Sequence, residues 1–453
     1  MKIVIVGCGK IGTTILQSLI SEGHDVVGID TNSEVISEIS NVYDAMYVVG
    51  NGADSDVLIE AGVRDAELFA AVTGTDELNM LSCFLAKRLG AKHTIARIRN
   101  PEYNDKSLGF LRGQLELSMS INPDLLAAQE LYNILKLPGA LNIETFSRRN
   151  FEMIEIKLRP DSVLDGINLM EIRKKYDAKF LVCTVQRSDD VFIPDGNFVL
   201  HSGDRINITG EKTEVQKLFR MLGIMQKQAK SVMILGASRI SYYLAKLLIA
   251  GGTSVKIIEQ DKARCEEFSA ILPKATIICG NGVQQELLFE EGIKETDAFV
   301  SLTGMDEENI LISFFASSQN VPTVISKVNR PELSAIAENL GLDCIISPQK
   351  IISDVLTRYA RALENSIGSS VETLYKLTDD GKAEALEFTV QSEFEYCNIP
   401  LRDMKLRDNI LVAGIIRGRK PIIPNGNDVI LAGDRVVIIA EGTKLRDLAD
   451  IMQ

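Results

Sequence analysis

Tryptophan is absent from this chain of 453 residues, and histidine occurs only three times. No apolar run approaches the ~18 to 20 residues that cross a bilayer, so we expect no segment to insert into a membrane. The seven cysteines are scattered without a CxxC spacing, and His24, His93 and His201 lie far apart. This distribution predicts reduced thiols, no disulfide framework and no metal site.

A basic patch is also missing. The 49 Lys and Arg residues stand against 62 Asp and Glu residues, a net charge of −13, and no run of the chain is strongly basic. Nucleic-acid binding would need cations clustered at the phosphates, so we expect no nucleic-acid partner. A hydrophobic share of 45% predicts ordered globular domains. Because an apolar strand begins at once, at residues 3–6, we expect no targeting peptide and a cytoplasmic protein.

What the chain does contain is a duplication. Residues 50–79 and 280–309 are identical at twelve of thirty positions without a gap. A period of about 230 residues is too long for a solenoid and indicates two whole modules. Three further segments recur at the same offset: Arg97-Ile98-Arg99-Asn100-Pro101-Glu102 with Lys327-Val328-Asn329-Arg330-Pro331-Glu332, Ile193-Pro194-Asp195-Gly196-Asn197 with Ile423-Pro424-Asn425-Gly426-Asn427, and Gly203-Asp204-Arg205 with Gly433-Asp434-Arg435.

Each half divides again. Short apolar strands alternate with helical patterns over the first 121 residues, which predicts parallel βαβ units, and turn signals then separate shorter strands up to residue 209. The predicted fold class is therefore α/β, with two tandem Rossmann-like doubly wound parallel sheets, each followed by a small β-rich α+β C-lobe. The predicted domains are the first N-lobe at 1–121, a crossover helix with C-lobe and linker at 122–228, the second N-lobe at 229–347, and a crossover helix with C-lobe at 348–453.

A glycine motif, Gly7-Cys8-Gly9-Lys10-Ile11-Gly12, follows the first predicted strand and opens a predicted helix. In that context Gly7 permits a tight turn, Gly9 lets the backbone approach a pyrophosphate, and Gly12 allows close packing of helix on strand. The helix N-terminus favours phosphates. Asp30 ends the second strand, where it can accept hydrogen bonds from ribose hydroxyls and would repel a 2′-phosphate, which predicts NAD rather than NADP. The structural alternative is a glycine turn with a helix-capping Asp.

Three further loops are expected at the same crevice, beyond the carboxyl ends of the strands. Asn51 of Gly50-Asn51-Gly52 can bind a base or ribose, the backbone of Thr73-Gly74 can approach the ligand, and Arg97 can bind a phosphate. Ordinary glycine turns would explain the first two loops equally well, and a surface ion pair would explain Arg97.

The second half differs at its own turn. Gly236-Ala237-Ser238-Arg239-Ile240-Ser241 keeps the first glycine and loses the other two, and Glu259 replaces the aspartate. The added side-chain atoms lie where a backbone would have to approach a pyrophosphate. We therefore expect weaker, altered or absent nucleotide binding at Gly236, although Glu259 retains a partner for a ribose.

Taken in this order, with each set of motifs followed by a β-rich lobe, the chain resembles the TrkA family of potassium-uptake proteins, which are built from two RCK (KTN) modules. The resemblance covers nearly the whole chain. It implies nucleotide contacts from nine residues: Gly7, Cys8, Gly9, Lys10, Ile11, Asp30, Thr73, Gly74 and Arg97.

The resemblance also implies a peripheral cytosolic regulator on the inner face of the membrane. Such a regulator binds NAD(H), and in some relatives ATP or ADP, and docks beneath a membrane K⁺ transporter of the Trk type. Rearrangement of a homo-oligomeric RCK ring then gates the ion flux. Lys10 is a candidate to reach a phosphate on a neighbouring subunit, and an exposed helix lysine is the plainer interpretation.

Two other functions stay open from the residues. An NAD-dependent oxidoreductase would fit the first N-lobe, but it needs an acid or base and a substrate pocket, for which the small lobes and few histidines offer little. We therefore expect no enzyme and no catalytic residues. A regulator of a cation/proton antiporter or K⁺ efflux system would fit as well, and normal K⁺ uptake with impaired efflux after deletion would favour it.

Overall fold

Four β-sheets form the framework of the protein. The computed structural model describes residues 1–453 apart from positions 104, 138, 147–150, 161, 177–179, 189, 211, 223–228, 366–370, 379–380 and 446. Within the described residues, two six-stranded parallel sheets alternate along the chain with two five-stranded antiparallel sheets. This arrangement confirms the predicted α/β fold class with its two β-rich lobes.

The first N-lobe, residues 2–121, has the strand order β3-β2-β1-β4-β5-β6. Its strands are almost wholly apolar because helices cover both faces of a parallel sheet. The elements are β1 (Lys2–Val6), α1 (Lys10–Ser21), β2 (Asp25–Asp30), α2 (Ser33–Ser40), β3 (Met46–Val49), α3 (Ser55–Glu60), a 3-10 turn (Val63–Asp65), β4 (Leu68–Ala71), α4 (Asp76–Leu89), β5 (His93–Arg97), α5 (Asp105–Gln114) and β6 (Met119–Ile121).

The first C-lobe, residues 142–221, is an antiparallel sheet with the strand order β10-β9-β11-β8-β7. Its buried Asp204 pairs through both carboxylate oxygens with Arg187, at 2.8 Å each, which gives the repeated Gly-Asp-Arg segment a structural role. The elements are β7 (Asn142–Phe146), β8 (Phe151–Lys157), α7 (Leu169–Tyr176), β9 (Phe180–Arg187), β10 (Asp190–Phe192), β11 (Arg205–Gly210) and α8 (Lys212–Met221).

The second half repeats both topologies, with the orders β14-β13-β12-β15-β16-β17 and β18-β19-β22-β20-β21. Its second N-lobe, residues 231–346, comprises β12 (Ser231–Leu235), α9 (Arg239–Ala250), β13 (Ser254–Glu259), α10 (Lys262–Ile271), β14 (Thr276–Cys279), α11 (Gln285–Glu290), a 3-10 turn (Ile293–Glu295), β15 (Ala298–Ser301), α12 (Asp306–Ser318), β16 (Thr323–Lys327), α13 (Pro331–Asn339) and β17 (Ile345–Ile346). Its second C-lobe, residues 371–452, comprises β18 (Val371–Lys376), β19 (Ala383–Thr389), a 3-10 turn (Leu401–Asp403), β20 (Ile410–Arg417), β21 (Lys420–Ile422), β22 (Arg435–Glu441) and a 3-10 turn (Leu448–Ile451).

The two crossover helices are exchanged between the halves. Helix α6 (Pro123–Lys136) follows the first N-lobe, but its Ala127 and Leu131 pack in the core of the second N-lobe beside Leu244 of α9. Helix α14 (Pro348–Asn365) follows the second N-lobe and packs on α1 of the first one, where the Ser353 hydroxyl bonds the Ser18 hydroxyl at 2.8 Å. Each N-lobe core is thus completed by a helix from the other half of the chain.

Candidate functional site: the glycine turn and the cation cluster beside it

The turn after β1 has the geometry that its glycines predict. Gly7 has φ +95°, and a Cβ added there would lie 2.9 Å from the backbone of Thr73. A Cβ on Gly12 would lie 1.8 Å from the Gly7 carbonyl oxygen. Gly9 is the N-cap of α1, has open space around it, and is capped by no side chain among the described residues. The first N–H groups of α1 therefore meet no side-chain cap from the described residues, at the end of the sheet where the crevice is predicted, and an uncapped helix N-terminus is the electrostatic setting that binds phosphates.

Asp30 is fixed beside this turn by two backbone donors. Its Oδ2 accepts a hydrogen bond from the Cys8 N–H at 2.7 Å, and its Oδ1 accepts one from the Asn32 N–H at 2.9 Å. A carboxylate oxygen can accept more than one hydrogen bond, so both keep capacity for the hydroxyls of a ribose.

The remaining residues of the glycine motif, Cys8, Lys10 and Ile11, differ in their exposure and therefore in the ligand contacts that they could make. Cys8 is buried with Ile36 and Ile39, and burial, followed by the charge of Asp30, raises the pKa of its thiol to about 12. Any ligand contact of Cys8 would therefore have to come from its backbone. Lys10 is exposed on the first turn of α1, and Ile11 is half-buried against the sheet.

Thr73 and Arg97 are brought together by Asn79, which was not among the predicted site residues, and the carbonyl of Gly74 accepts a hydrogen bond from Arg99 at 3.0 Å. The side chain of Asn79, fully buried on α4, accepts hydrogen bonds from the N–H of Thr73 at 2.8 Å and from its hydroxyl at 2.7 Å. It also donates to the Arg97 carbonyl at 2.9 Å, and the Arg97 guanidinium donates to the Thr73 carbonyl. The recurrence of Asn79 as Asn309 at the 230-residue offset is the sequence signal that could have identified this frame.

The Gly50-Asn51-Gly52 loop lies next to Asp30, because the Gly50 N–H donates to the Asp30 carbonyl at 2.9 Å. Within the loop, Asn51 accepts from the N–H of Ala53 at 3.0 Å, which is a local turn. A Cβ on Gly52 would lie 2.2 Å from the Val6 side chain. The loop is thus an ordinary glycine turn, as the alternative explanation stated, and it also lies at the edge of the crevice.

Cations from both N-lobes converge beside the Arg97 end of the crevice. Arg97 is only 6% exposed, and burial together with the neighbouring Arg99 lowers its pKa to about 10. Arg239, at the start of α9, and Lys327, at the end of β16, act on the same cluster from the second N-lobe. Arg97 is thus buried among charged side chains and does not form the surface ion pair that was its alternative explanation.

The anionic side of this cluster is formed by Asp76 and Asp306, which act on Arg97 and Lys327 respectively, and by Asp124 in the first turn of α6, which acts on both. Burial raises the pKa of Asp124 against the opposing effect of the surrounding cations. Its Oδ2 and the Nε atoms of Arg97 and Arg99 are buried without a hydrogen-bond partner in the described part of the chain. Buried polar atoms of this kind are normally satisfied. The two guanidinium Nε–H groups need an acceptor, which an added anion would supply, whereas Asp124 Oδ2 needs a donor such as a hydroxyl.

In the second N-lobe, serine side chains occupy the helix N-terminus that is uncapped in the first N-lobe. Ser238 caps α9 by accepting from the Ser241 N–H at 3.2 Å, and the Ser241 hydroxyl donates to the Gly236 carbonyl at 2.6 Å. Glu259 accepts from the Ala237 N–H at 2.7 Å, as Asp30 does from Cys8 in the first lobe. The carboxylate at the strand end is thus retained, while serine side chains occupy the helix N-terminus.

These features define a pair of Rossmann-type modules, each joined to an antiparallel C-lobe, with an open glycine turn in the first module. Residues 3–109 and 232–348 match the TrkA-N domain, and residues 153–223 and 385–453 match the TrkA-C domain. The chain belongs to the TrkA family. No helix in the described residues is both long and apolar enough to cross a bilayer.

Individual relatives agree with this assignment. A Trk system potassium uptake protein TrkA homolog of Archaeoglobus fulgidus is 32% identical over 453 residues, which is 100% of both chains. The Trk system potassium uptake protein TrkA of Vibrio alginolyticus is 29% identical over 452 residues, covering 98% of this chain and 96% of the relative.

Solved structures share the fold at low sequence identity. The crystal structure of the GsuK RCK domain has a TM-score of 0.64 at 17% identity and covers 97% of this chain and 92% of its own. The GsuK channel bound to NAD has a TM-score of 0.62 at 16% identity and covers 97% and 76%.

Proposed function

We propose that this protein is a regulatory subunit of a Trk-type K⁺ uptake system, controlled by a nucleotide bound in the first N-lobe. The nucleotide, NAD(H), ATP or ADP, acts as an effector and is not consumed. The observation that carries the proposal is the open N-terminus of α1 beside Asp30, at a crevice bordered by cations from both N-lobes. The names of the relatives and of the NAD-bound GsuK channel support it.

The adenosine half of the ligand is assigned to the Asp30 side. The carboxylate accepts hydrogen bonds from the ribose hydroxyls, and its negative charge disfavours a 2′-phosphate. The phosphates bind the free N–H groups of α1 near Gly9, where the dipole of the helix favours negative charge. The proposed contacts remain Gly7, Cys8, Gly9, Lys10, Ile11, Gly12, Asp30, Asn51, Thr73, Gly74 and Arg97.

Phosphates extending toward Arg97 would couple the ligand to the arrangement of the lobes. Arg239 and Lys327 belong to the second N-lobe, and Asp124 belongs to the exchanged helix α6, so an anion here interacts with three separately supported elements. A ligand that binds one arrangement more tightly shifts the population toward it, and about 1.4 kcal/mol of difference is a tenfold shift. Nucleotides with different numbers of phosphates would thereby have different effects.

The partners follow from the family. We propose that copies of this chain assemble into a homo-oligomeric RCK ring, and that the ring acts on a membrane K⁺ transporter from the cytoplasmic side. Ion conduction would then belong to the transporter, and this chain would supply the nucleotide-dependent control.

Calorimetric titration of the purified full-length protein with NAD⁺, NADH, ATP and ADP tests the nucleotide site. We expect one nucleotide per chain and a fall in affinity of roughly 10-fold or more in Asp30→Ala, since a hydrogen bond to a charged group is worth about 1.5–3 kcal/mol. Glu259→Ala is the matched control and should leave affinity unchanged. Two nucleotides per chain, or binding indifferent to Asp30, would show that the Gly236 crevice binds nucleotide.

Potassium flux in cells that lack this protein tests the regulatory role. Reintroducing the wild-type chain should restore nucleotide-dependent K⁺ uptake, and the Asp30→Ala chain should not. Normal uptake with impaired efflux would assign the protein to an efflux or antiport system instead. Turnover of a hydroxy acid or aldehyde with NAD would support an oxidoreductase.

A further inference from the structure

Two cysteines meet beside Glu259 in the second N-lobe. Cys265 lies in α10, and its thiol donates a hydrogen bond to the Glu259 carbonyl oxygen at 3.3 Å. Cys279 is the last residue of β14 and is the register partner of Glu259 in the parallel pair β13–β14. The same Glu259 carbonyl accepts the Gly280 N–H at 2.8 Å, directly after Cys279. One carbonyl oxygen thus brings the helix and the strand end together at the two thiols.

The two thiols differ in their access to solvent. Cys279 is exposed, whereas Cys265 is 6% exposed. They are neighbours, because the Cys265 thiol bonds the carbonyl of Glu259, whose register partner is Cys279. Burial first, and then the Cys279 thiol, raise the pKa of Cys265 to about 12. An exposed thiol beside a buried one is the arrangement in which the first can meet an oxidant and the second can resolve the product.

We propose that Cys265 and Cys279 form a reversible disulfide that ties α10 to β14 beside Glu259. The first N-lobe lacks this pair. Ile36 is the fourth residue after the N-cap of α2, as Cys265 is in α10, and Val49 is the register partner of Asp30, as Cys279 is of Glu259. The proposal does not depend on nucleotide binding.

The oxidant that balances the reaction is a peroxide. The Cys279 thiolate attacks one peroxide oxygen, an S–O bond forms, the O–O bond breaks, and the leaving hydroxide takes a proton to become water. The deprotonated Cys265 sulfur then attacks the Cys279 sulfenic acid, so that the S–S bond forms and the S–O bond breaks. The departing hydroxide takes up the proton released from Cys265. In sum, two thiols lose two electrons and one hydrogen peroxide becomes two waters.

The second step is expected to be the slower one. It needs the Cys265 thiolate, and the raised pKa of that thiol keeps the thiolate scarce at neutral pH. Disulfide formation should therefore accelerate as the pH rises, while the first oxidation of Cys279 persists as a sulfenic acid that a dimedone probe captures.

The consequence of the bond would be local to the second crevice. Oxidation removes the thiol hydrogen that binds the Glu259 carbonyl, and it joins elements on either side of that residue. The Glu259 side chain holds the N–H groups of Ala237 and Asp261, at 2.7 and 2.9 Å. A disulfide here would thus couple the oxidation of the thiols, through Glu259, to the conformation of the Gly236 turn and of helix α10.

The test is peroxide treatment of the reduced full-length protein, followed by alkylation, digestion and mass spectrometry. We expect a peptide pair joined through Cys265 and Cys279 that dithiothreitol separates. Cys279→Ser should abolish the pair, and Cys265→Ser should leave Cys279 reactive with dimedone after peroxide. Cys397→Ser, which changes a half-buried thiol of the second C-lobe, is the matched control and should leave the pair intact.

Three results would overturn the proposal: both thiols remain fully open to alkylation after peroxide, Cys279 is recovered only in disulfides between two chains, or it is recovered only as sulfinic acid. Folding of the serine variants is checked by their unfolding temperature. Serine fits the space of a thiol, so loss of folding is not expected at exposed Cys279.

Discussion

The two N-lobes share a frame and differ at the helix N-terminus that the frame supports. In both, a fully buried asparagine ties a threonine after the fourth strand to the carbonyl at the end of the fifth, through Asn79 in one lobe and Asn309 in the other. In the first lobe no described side chain caps α1 at its N-cap residue Gly9, whereas in the second lobe the side chain of Ser238 caps α9. The asparagine frame is therefore common to both lobes, and the uncapped helix N-terminus, at which we propose the ligand binds, distinguishes the first lobe.

The largest expected effect is the gain of a disulfide when the cysteine pair is introduced into the first N-lobe. In the first lobe the Gly50 N–H binds the Asp30 carbonyl at 2.9 Å and Val49 is the register partner of Asp30, which matches the geometry around Glu259. The double variant Ile36→Cys with Val49→Cys should therefore gain a peroxide-dependent disulfide that the wild-type lobe cannot form. Mass spectrometry of the digested protein measures it. Recovery of both introduced thiols in reduced form would show that the two lobes differ in more than residue identity.

The asparagine frame should matter equally for the stability of both lobes. Each side chain is fully buried and makes three or more hydrogen bonds, so Asn79→Ala and Asn309→Ala should each lower the free energy of unfolding by about 2–4 kcal/mol. Urea unfolding measures this change. Nucleotide affinity should fall only in Asn79→Ala, and an equal fall in both variants would contradict the assignment of the site to the first lobe.

Gly9→Ser should make the first turn behave like the second. Gly9 has φ −67° and ψ −171°, close to the −94° and 169° of Ser238, so a serine fits without strain and can cap α1. We expect nucleotide affinity to fall by roughly 10-fold, with the unfolding temperature unchanged or slightly higher. The reciprocal Ser238→Gly should leave binding to the first lobe unaltered. Calorimetry on both variants decides between capping and general damage.

The smallest effects are expected from the cations next to the glycine turns. Arg239, the counterpart of Lys10, faces Arg97 and Asp124, so Arg239→Ala should weaken ATP binding by about threefold to tenfold and NAD⁺ binding less. Lys10→Ala should have a smaller effect, and it tests the contact with a neighbouring subunit. ATP and ADP affinities that do not change in Lys10→Ala would contradict that contact.

Most of the fold could be predicted from the sequence because its signals are local. Alternation of apolar strands with helical patterns predicts the parallel βαβ units of the first N-lobe, the duplication extends them to the second, and turn signals predict the β-rich lobes. Strand β6 has three residues, too few to show a periodicity. The domain boundaries stay predictions.

The site could be predicted only in part. The glycine turn, Asp30, Thr73 and Arg97 follow short motifs at strand ends, which the topology of a doubly wound sheet brings together. The contribution of Asp124, Arg239 and Lys327 depends on which lobe each crossover helix packs against. An amphipathic helix shows an apolar face in its sequence but not the partner of that face, so the shared cation cluster had no sequence signature.

The exchange of α6 and α14 also has an evolutionary meaning. A single module of this kind cannot complete its own core, so it would have to exist as a twofold pair in which each copy lends its helix to the other. When two such copies are joined in one chain, the module that lends the crossover helix is always present. Either copy can then change in sequence while the helix exchange is retained. The two copies could therefore come to differ at the glycine turn and at Cys265 and Cys279.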